Sequence, residues 1–438
     1  MHIRSHRTPP EEAPIRSAAA LALGASALLV FGMALAQPHA ALQASARGLA
    51  VWWEVLFPAL FPFFVLSELL LGFGVVHFAG TLLDPLMRPL FRLPGAGGFV
   101  VAMGFASGYP VGARLTSRLI DQKLVKPAEG QRLVEITTTS DPIFLIGAVG
   151  VGFFGRPEAL PVLAIAHYGG AMLLGFLGRW RRDGREFQDQ DAPENLDESA
   201  SKDAGNSPHG TRRPGLGRWK AALDAMRLAR RADGRPFGVM LQQAVSSSLG
   251  LMVIVGGLVV FFSAALDLLL ASGALEFFRH LVAALLHLAG MPQGLYPAFL
   301  QGAFEVTLGS RAAAQASGAE GLLPLEDRLA AAAFVLSWAG LSVHAQVAGL
   351  MSRVAWRYGR FARFRFLHGI VAAAIAYLVW PFFRPLSSGA LAAWLPASPA
   401  SAGSFVLWPL AMAAGTLIVI ALLGGALRLM DRIRPPRA

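Results

Sequence analysis

The sequence predicts an all-α polytopic membrane protein, an inverted-topology repeat with two re-entrant helical hairpins and broken helices, and three observations carry that prediction. Of 438 residues, 55% are hydrophobic and 15% charged. Apolar runs of about twenty residues, enough to cross a hydrocarbon core about 30 Å thick, recur along the chain. Glycine-rich polar stretches interrupt these runs, and the same order of elements occurs on both sides of one long charged segment.

The first apolar run follows Arg4, Arg7 and Arg16. It is longer than a signal-peptide core and predicts a membrane helix over Ala20–Ala36. A returning helix is predicted at Val51–Leu71 and an amphipathic piece at Val75–Phe91. Next comes "GFASGYPVGARLTSRLIDQK", Gly104 to Lys123. Irregular backbone at membrane depth is tolerated only where protein or a water-filled cavity satisfies it, so the Gly-Tyr-Pro break predicts the tip of a re-entrant hairpin. Spans at Leu133–Phe154 and Leu160–Leu177 complete the first half. Arg179 to Arg235, acidic in the middle and basic at its flanks, reads as a disordered cytoplasmic linker. The second half offers a span at Val239–Leu266, an amphipathic piece at Leu275–Leu288, a polar hairpin at Gln301–Arg328, and spans at Leu329–Met351 and Phe366–Phe383. A further span is predicted at Phe405–Leu427. The division is an amino-terminal segment over 1–50, a first repeat over 51–179, the linker over 180–236, an inverted second repeat over 237–386, and a carboxy-terminal helix with a basic tail over 387–438.

An offset of 197 residues (309 − 112) superimposes Gly112 on Gly309, Arg114 on Arg311, Glu129 on Glu326, Ser140 on Ser337 and Gly152 on Gly349 without gaps. Arg114, Arg118, Lys123, Lys126 and Arg132 outnumber the acids around the first hairpin, whereas Arg311 to Arg328 holds three acids and two bases. By the positive-inside rule the first hairpin enters from the cytoplasm and the second from outside, with both termini cytoplasmic. Inverted repeats of this kind build many secondary transporters. The net charge of +11 gathers at helix ends and linker flanks, which points to membrane orientation with lipid as partner and not to nucleic acid. The absence of cysteine excludes disulfides and thiol chemistry. No Walker loop, zincin helix or nucleophile elbow is present, so neither an enzyme nor a cofactor is expected.

Polar residues inside the apolar segments define the candidate site. Ser107, Gly108, Tyr109 and Pro110 form the first hairpin tip, although Gly104, Gly108 and Gly112 also suit close helix packing. In "EITTTSDPIF", Pro142 removes a backbone donor. Thr138, Thr139, Ser140 and Asp141 then offer carbonyls, hydroxyls and a carboxylate to a solute or to a coupling Na+ or H+. The alternative for Asp141 is a cap on the following helix. Glu305 and Thr307 belong to the second hairpin, Glu305 at the offset of Gly108. Ser337, Ser342, His344 and Gln346 line the polar half of the next span. Ser140 and Ser337 are expected to face one shared cavity. Arg114, Arg118 and Arg311 read as a carboxylate clamp or as headgroup anchors, and the run Arg353, Arg357, Arg360, Arg363 and Arg365 as a cytoplasmic loop.

The strings "GFASGYPVGARL", "TTSDPIFLIGAVGVGFFG", "FEVTLGSR" and "LSWAGLSVHAQV" resemble the sporulation integral membrane protein YlbJ family over roughly Val51 to Phe383. The resemblance implies paired nucleoside-recognition, or Gate, domains similar to the hairpin-plus-broken-helix repeats of concentrative nucleoside transporters. Members in spore formers are associated with moving dipicolinate, a small aromatic dicarboxylate, toward the developing spore. The function expected is a secondary transporter of a small polar or anionic solute, dipicolinate-like or nucleoside-like, in the cell membrane or the membrane surrounding a forespore. A homo-oligomer is compatible with it. The alternative is a non-transporting scaffold or assembly protein of a sporulation complex.

Overall fold

The computed structural model describes residues 14–156, 158–180 and 216–383. The span predicted at Phe405–Leu427 and most of the linker lie outside them. The chain runs through α1 (Pro14–Ala36), α2 (Pro38–Val51), a π-helical turn (Trp52–Leu56), α3 (Phe57–Gly72) and α4 (Val75–Phe91). Two short helices, α5 (Ala96–Ser107) and α6 (Tyr109–Asp121), make the first hairpin. A broken helix follows: α7 (Pro127–Thr137), four non-helical residues, then the π-helical segment Phe144–Phe154. Helix α8 (Ala159–Trp180) closes the first half.

After α9 (Leu216–Asp233) the same series returns. It consists of α10 (Phe237–Ala271), α11 (Glu276–Leu288), the hairpin α12 (Tyr296–Phe304) with α13 (Val306–Ala314), the broken helix α14 (Leu325–Trp338) with α15 (Gly340–Met351), and α16 (Tyr358–Phe383). Among the described residues the strands are two residue pairs at the base of the second hairpin, Ser317–Gly318 against Gly321–Leu322. By length and apolarity α8, α10, α14 with α15, and α16 can cross a membrane, and the pairs α1–α2 and α3–α4, bent by 110° and 83°, raise the number from four to six. The fold class is as predicted.

Two elements correct the sequence reading. Residues between the first two predicted spans form α2, which starts with Pro38 in its first turn, where the missing N–H costs nothing. The salt bridge from Arg47 to Asp267, 2.6 Å, ties α2 to α10. The end of the supposed disordered linker is the helix α9. Its apolar spacing (Trp219, Ala222, Met226, Ala229) was masked by its charges. It docks on α4, with Ala222 buried and the Trp219 ring 5.7 Å from that of Phe78.

Contacts show that the two halves run in opposite directions. Gln131, near the start of α7, donates to Arg357 O at 3.4 Å and accepts from Arg357 N at 2.8 Å, just after α15 ends. At the far end of that first broken helix, the Phe153 ring carries the Arg311 guanidinium at 5.0 Å, from the hairpin that precedes α14. The start of one broken helix therefore lies beside the end of the other, so the two run antiparallel, as an inverted repeat requires. Close packing of its centre uses small residues: Ala330 to Ala333 in α14 are all fully buried, as expected where helices must approach without a water-driven core.

Because the chain has no native cysteine, single substitutions test this orientation. Lys123→Cys and Ala319→Cys, one exposed beyond each hairpin, should react with an impermeant maleimide from opposite sides of the membrane. Labelling of both from one side would contradict the inversion.

Candidate functional site

In each repeat the hairpin tip lies against the helix break by backbone contact. Gly108 joins α5 to α6 with φ 86° and ψ −178°, a region essentially open to glycine alone. A side chain there would begin 3.2 Å from Asp141 Oδ2. In the second repeat Ala339 and Gly340, both at positive φ, form the break. A side chain at Gly340 would begin 2.9 Å from Phe304 O and 3.0 Å from Glu305 N, at the second tip.

One acid in each repeat, Asp141 at the first break and Glu305 at the second tip, caps the helix that restarts after it. Asp141 Oδ1 accepts from Phe144 N at 2.8 Å, and Glu305 Oε2 accepts from Leu308 N at 2.8 Å. The Thr307 hydroxyl donates to Glu305 Oε1 at 3.1 Å. An acid accepting the free N–H groups of a helix start also complements its dipole. Both residues line one cavity of about 30 Å³ with Tyr109, Pro110, Ser342 and Gln346. That volume admits a water or a bare cation, not a small organic solute. A solute would have to open it.

Behind the cavity lies a buried polar network that joins the repeats. Ser140 N donates to His167 Nε2 at 2.9 Å, so that nitrogen carries no proton, and His167 Nδ1–H donates to Ser337 Oγ at 2.9 Å. His368 Nε2–H donates to His167 O at 2.8 Å. The Tyr168 hydroxyl donates to Ser140 O at 3.0 Å, and Arg365 Nη2 donates to Ser337 O. These last two bonds are equivalents, since 365 − 168 = 197 and 337 − 140 = 197. Each repeat thus satisfies its helix-break carbonyl from the same position of its last helix.

The structure therefore brings Tyr109, Pro110, Asp141, Glu305, Ser342 and Gln346 around one cavity and places Gly108 against Asp141. Gln346 Nε2 donates to Ser342 Oγ at 3.4 Å. Ser140 and Ser337 converge, but on His167 and not on the cavity. Thr138 bonds back to Val134 O at 2.6 Å. Thr139 and Ser107 are buried with unpartnered hydroxyls. His344 faces away from the cavity: Nε2–H donates to Trp338 O at 3.1 Å, Nδ1 accepts from Tyr358 at 3.2 Å, and the ring packs on Trp338. Arg114 and Arg118 reach Glu68 at 2.8 and 3.5 Å and not the cavity.

Arg365 is the principal correction. The arginine run from Arg353 is not wholly a loop, because α16 begins at Tyr358, and Arg365 is 0% exposed. His167, Tyr168, Arg365 and His368 were all missed as site residues. The repeat offset that matched Ser140 to Ser337 also matches Tyr168 to Arg365, and extending it would have found that pair.

The tip geometry is testable by stability. Gly108→Ala should lower stability by about 1–3 kcal/mol, the cost of a strained backbone position, measured as thermal unfolding in detergent. Gly147→Ala, with no neighbour within 4 Å of the added methyl, should leave the midpoint near that of the unaltered protein. Equal midpoints for both variants would contradict the tip contact described.

A family model described as Gate, nucleoside recognition, matches residues 53–157, most of the first repeat. The sporulation integral membrane protein YlbJ of Bacillus subtilis (strain 168) is 39% identical over 354 residues, covering 81% of this chain and 81% of that one. No solved structure matches. With that identity over that span, the chain belongs to the family of the sporulation integral membrane protein YlbJ.

Proposed function

We propose that this integral membrane protein is a secondary transporter that moves a small polar or anionic solute by alternating access. The observation that supports this best is the convergence of Tyr109 and Asp141 from one repeat with Glu305, Ser342 and Gln346 from the inverted one on a single cavity. A cavity at the meeting of two inverted repeats, lined by hairpin tips and unwound helix ends, can be exposed to either side by rocking one repeat against the other. Glycines at a hairpin tip and a helix break let tip and break meet by backbone beside the cavity-lining Asp141 and Glu305. The solute classes to test are a dipicolinate-like dicarboxylate and a nucleoside. The relative's name supports a role in sporulation, in a membrane of a spore-forming cell, and the basic terminal segments support cytoplasmic termini. Asp141, capped into place and without an ion-pair partner among the described residues, serves as the seat of a coupling H+ or Na+. No catalytic step is assigned to any residue.

The test is uptake into liposomes holding the purified protein, using pyridine-2,6-dicarboxylate and uridine, at several pH values with and without sodium. Saturable uptake of one of them is expected. Asp141→Asn keeps a capping side chain and should retain solute binding while altering the pH or sodium dependence of flux. Absence of flux for both solutes would support a scaffold instead, and unaltered ion dependence would leave Asp141 as a cap only.

A further inference from the structure

We infer that the Arg365 guanidinium is the specificity-determining group that holds a carboxylate of the transported solute and tells it from a neutral solute of similar shape. The inference rests on the transport reading and names the residue that would read the solute's charge. Arg365 is fully buried within α16, and while Nη2 serves Ser337 O, its Nε and Nη1 groups are buried with no acceptor. No carboxylate pairs with it among the described residues. A cation within a membrane helix is rare and costly, and where it occurs it faces a partner or a solute path.

The structural duty does not require the charge. In the first repeat Tyr168, at the equivalent position, satisfies the equivalent carbonyl with a neutral hydroxyl. The second repeat replaces one donor by a guanidinium with five, and the surplus is what remains unpartnered. Its location suits a solute contact. Ser337 O receives Arg365, and the adjacent Leu336 O receives the Tyr109 hydroxyl at 2.9 Å. Tyr109 in turn lines the cavity. Displacing the Tyr109 ring when the first hairpin moves would therefore open the cavity toward the free guanidinium donors. The solute's carboxylate would lie at the Arg365 end, leaving its polar remainder to Ser342 and Gln346.

Equilibrium binding to the purified protein tests this with pyridine-2,6-dicarboxylate, its uncharged diamide, and uridine. The protein should bind the acid at least about tenfold more tightly than the diamide, as hydrogen bonds to charged groups are the stronger class. Arg365→Gln retains a neutral donor for Ser337 O and should abolish that preference, whereas Arg365→Lys should keep part of it as a point charge. Equal affinity of the unaltered protein for acid and diamide, or tighter uridine binding, would overturn the assignment without any variant having to fold. So would an Arg365→Gln protein that keeps the preference. Both outcomes leave flux, and hence the transport reading, standing. Failure of all three probes to bind or cross would sink that reading and the Arg365 seat together.

Discussion

Backbone that leaves the helix at membrane depth must find its partners inside the protein, because lipid offers none. The chain does this at two hairpin tips and two helix breaks, and the rest of the arrangement answers to those four places. The last helix of each repeat must lie where Tyr168 and Arg365 reach Ser140 O and Ser337 O. Each tip must sit on its break, which admits no side chain at Gly108 or Gly340. At one of these places in each repeat a side chain caps the restarting helix, Asp141 after the first break and Glu305 at the second tip. His167, bonded to Ser140 on one side and Ser337 on the other, then locks the two repeats in register.

Inverted symmetry is obeyed by the backbone and broken by the chemistry. The first tip turns at a glycine of positive φ, the second at Glu305 with φ −144°. The acid of the first repeat belongs to its helix break, that of the second to its hairpin tip, yet both line one cavity. At the base of the hairpins the contrast recurs: Arg114 is paired with Glu68, whereas its equivalent Arg311 rests on the Phe153 ring. On the transport reading, such differences would let the two gates open with unequal ease.

The order of elements was legible because it depends on local signals: apolar length, and glycine or proline where the backbone turns. Asp141, Glu305 and Ser342 were legible for the same reason, as polar residues inside apolar runs. Helices α2 and α9 were not, because charges and small residues there hide a narrow apolar face that has meaning only once α10 and α4 supply a surface. Arg365 was misread since its neighbours Arg360 and Arg363 resemble a loop. Only the fold shows that α16 turns it inward beside His368, while Arg363 remains on the exposed side, bonded to Gly359 O. Tyr168 and His167 carried no motif of their own. Their role comes from contacts 27 to 170 residues away in the chain.

On the transport reading, the two capping acids are not equivalent candidates for ion coupling. Glu305 uses Oε2 for Leu308 N and Oε1 for the Thr307 hydroxyl, so a bound ion would have to displace a bond that holds the second hairpin together. Asp141 holds its helix through Oδ1, while Oδ2 lies against the Gly108 tip. A proton or cation added on the Oδ2 side leaves the cap in place and alters what the first hairpin rests on. The element that feels the ion is then the one whose Tyr109 lines the cavity and bonds Leu336 O, next to the carbonyl that Arg365 holds. Ion occupancy at Asp141 and solute charge at Arg365 would thereby act on the same hairpin from two sides, which is the physical form that coupling between two ligands requires.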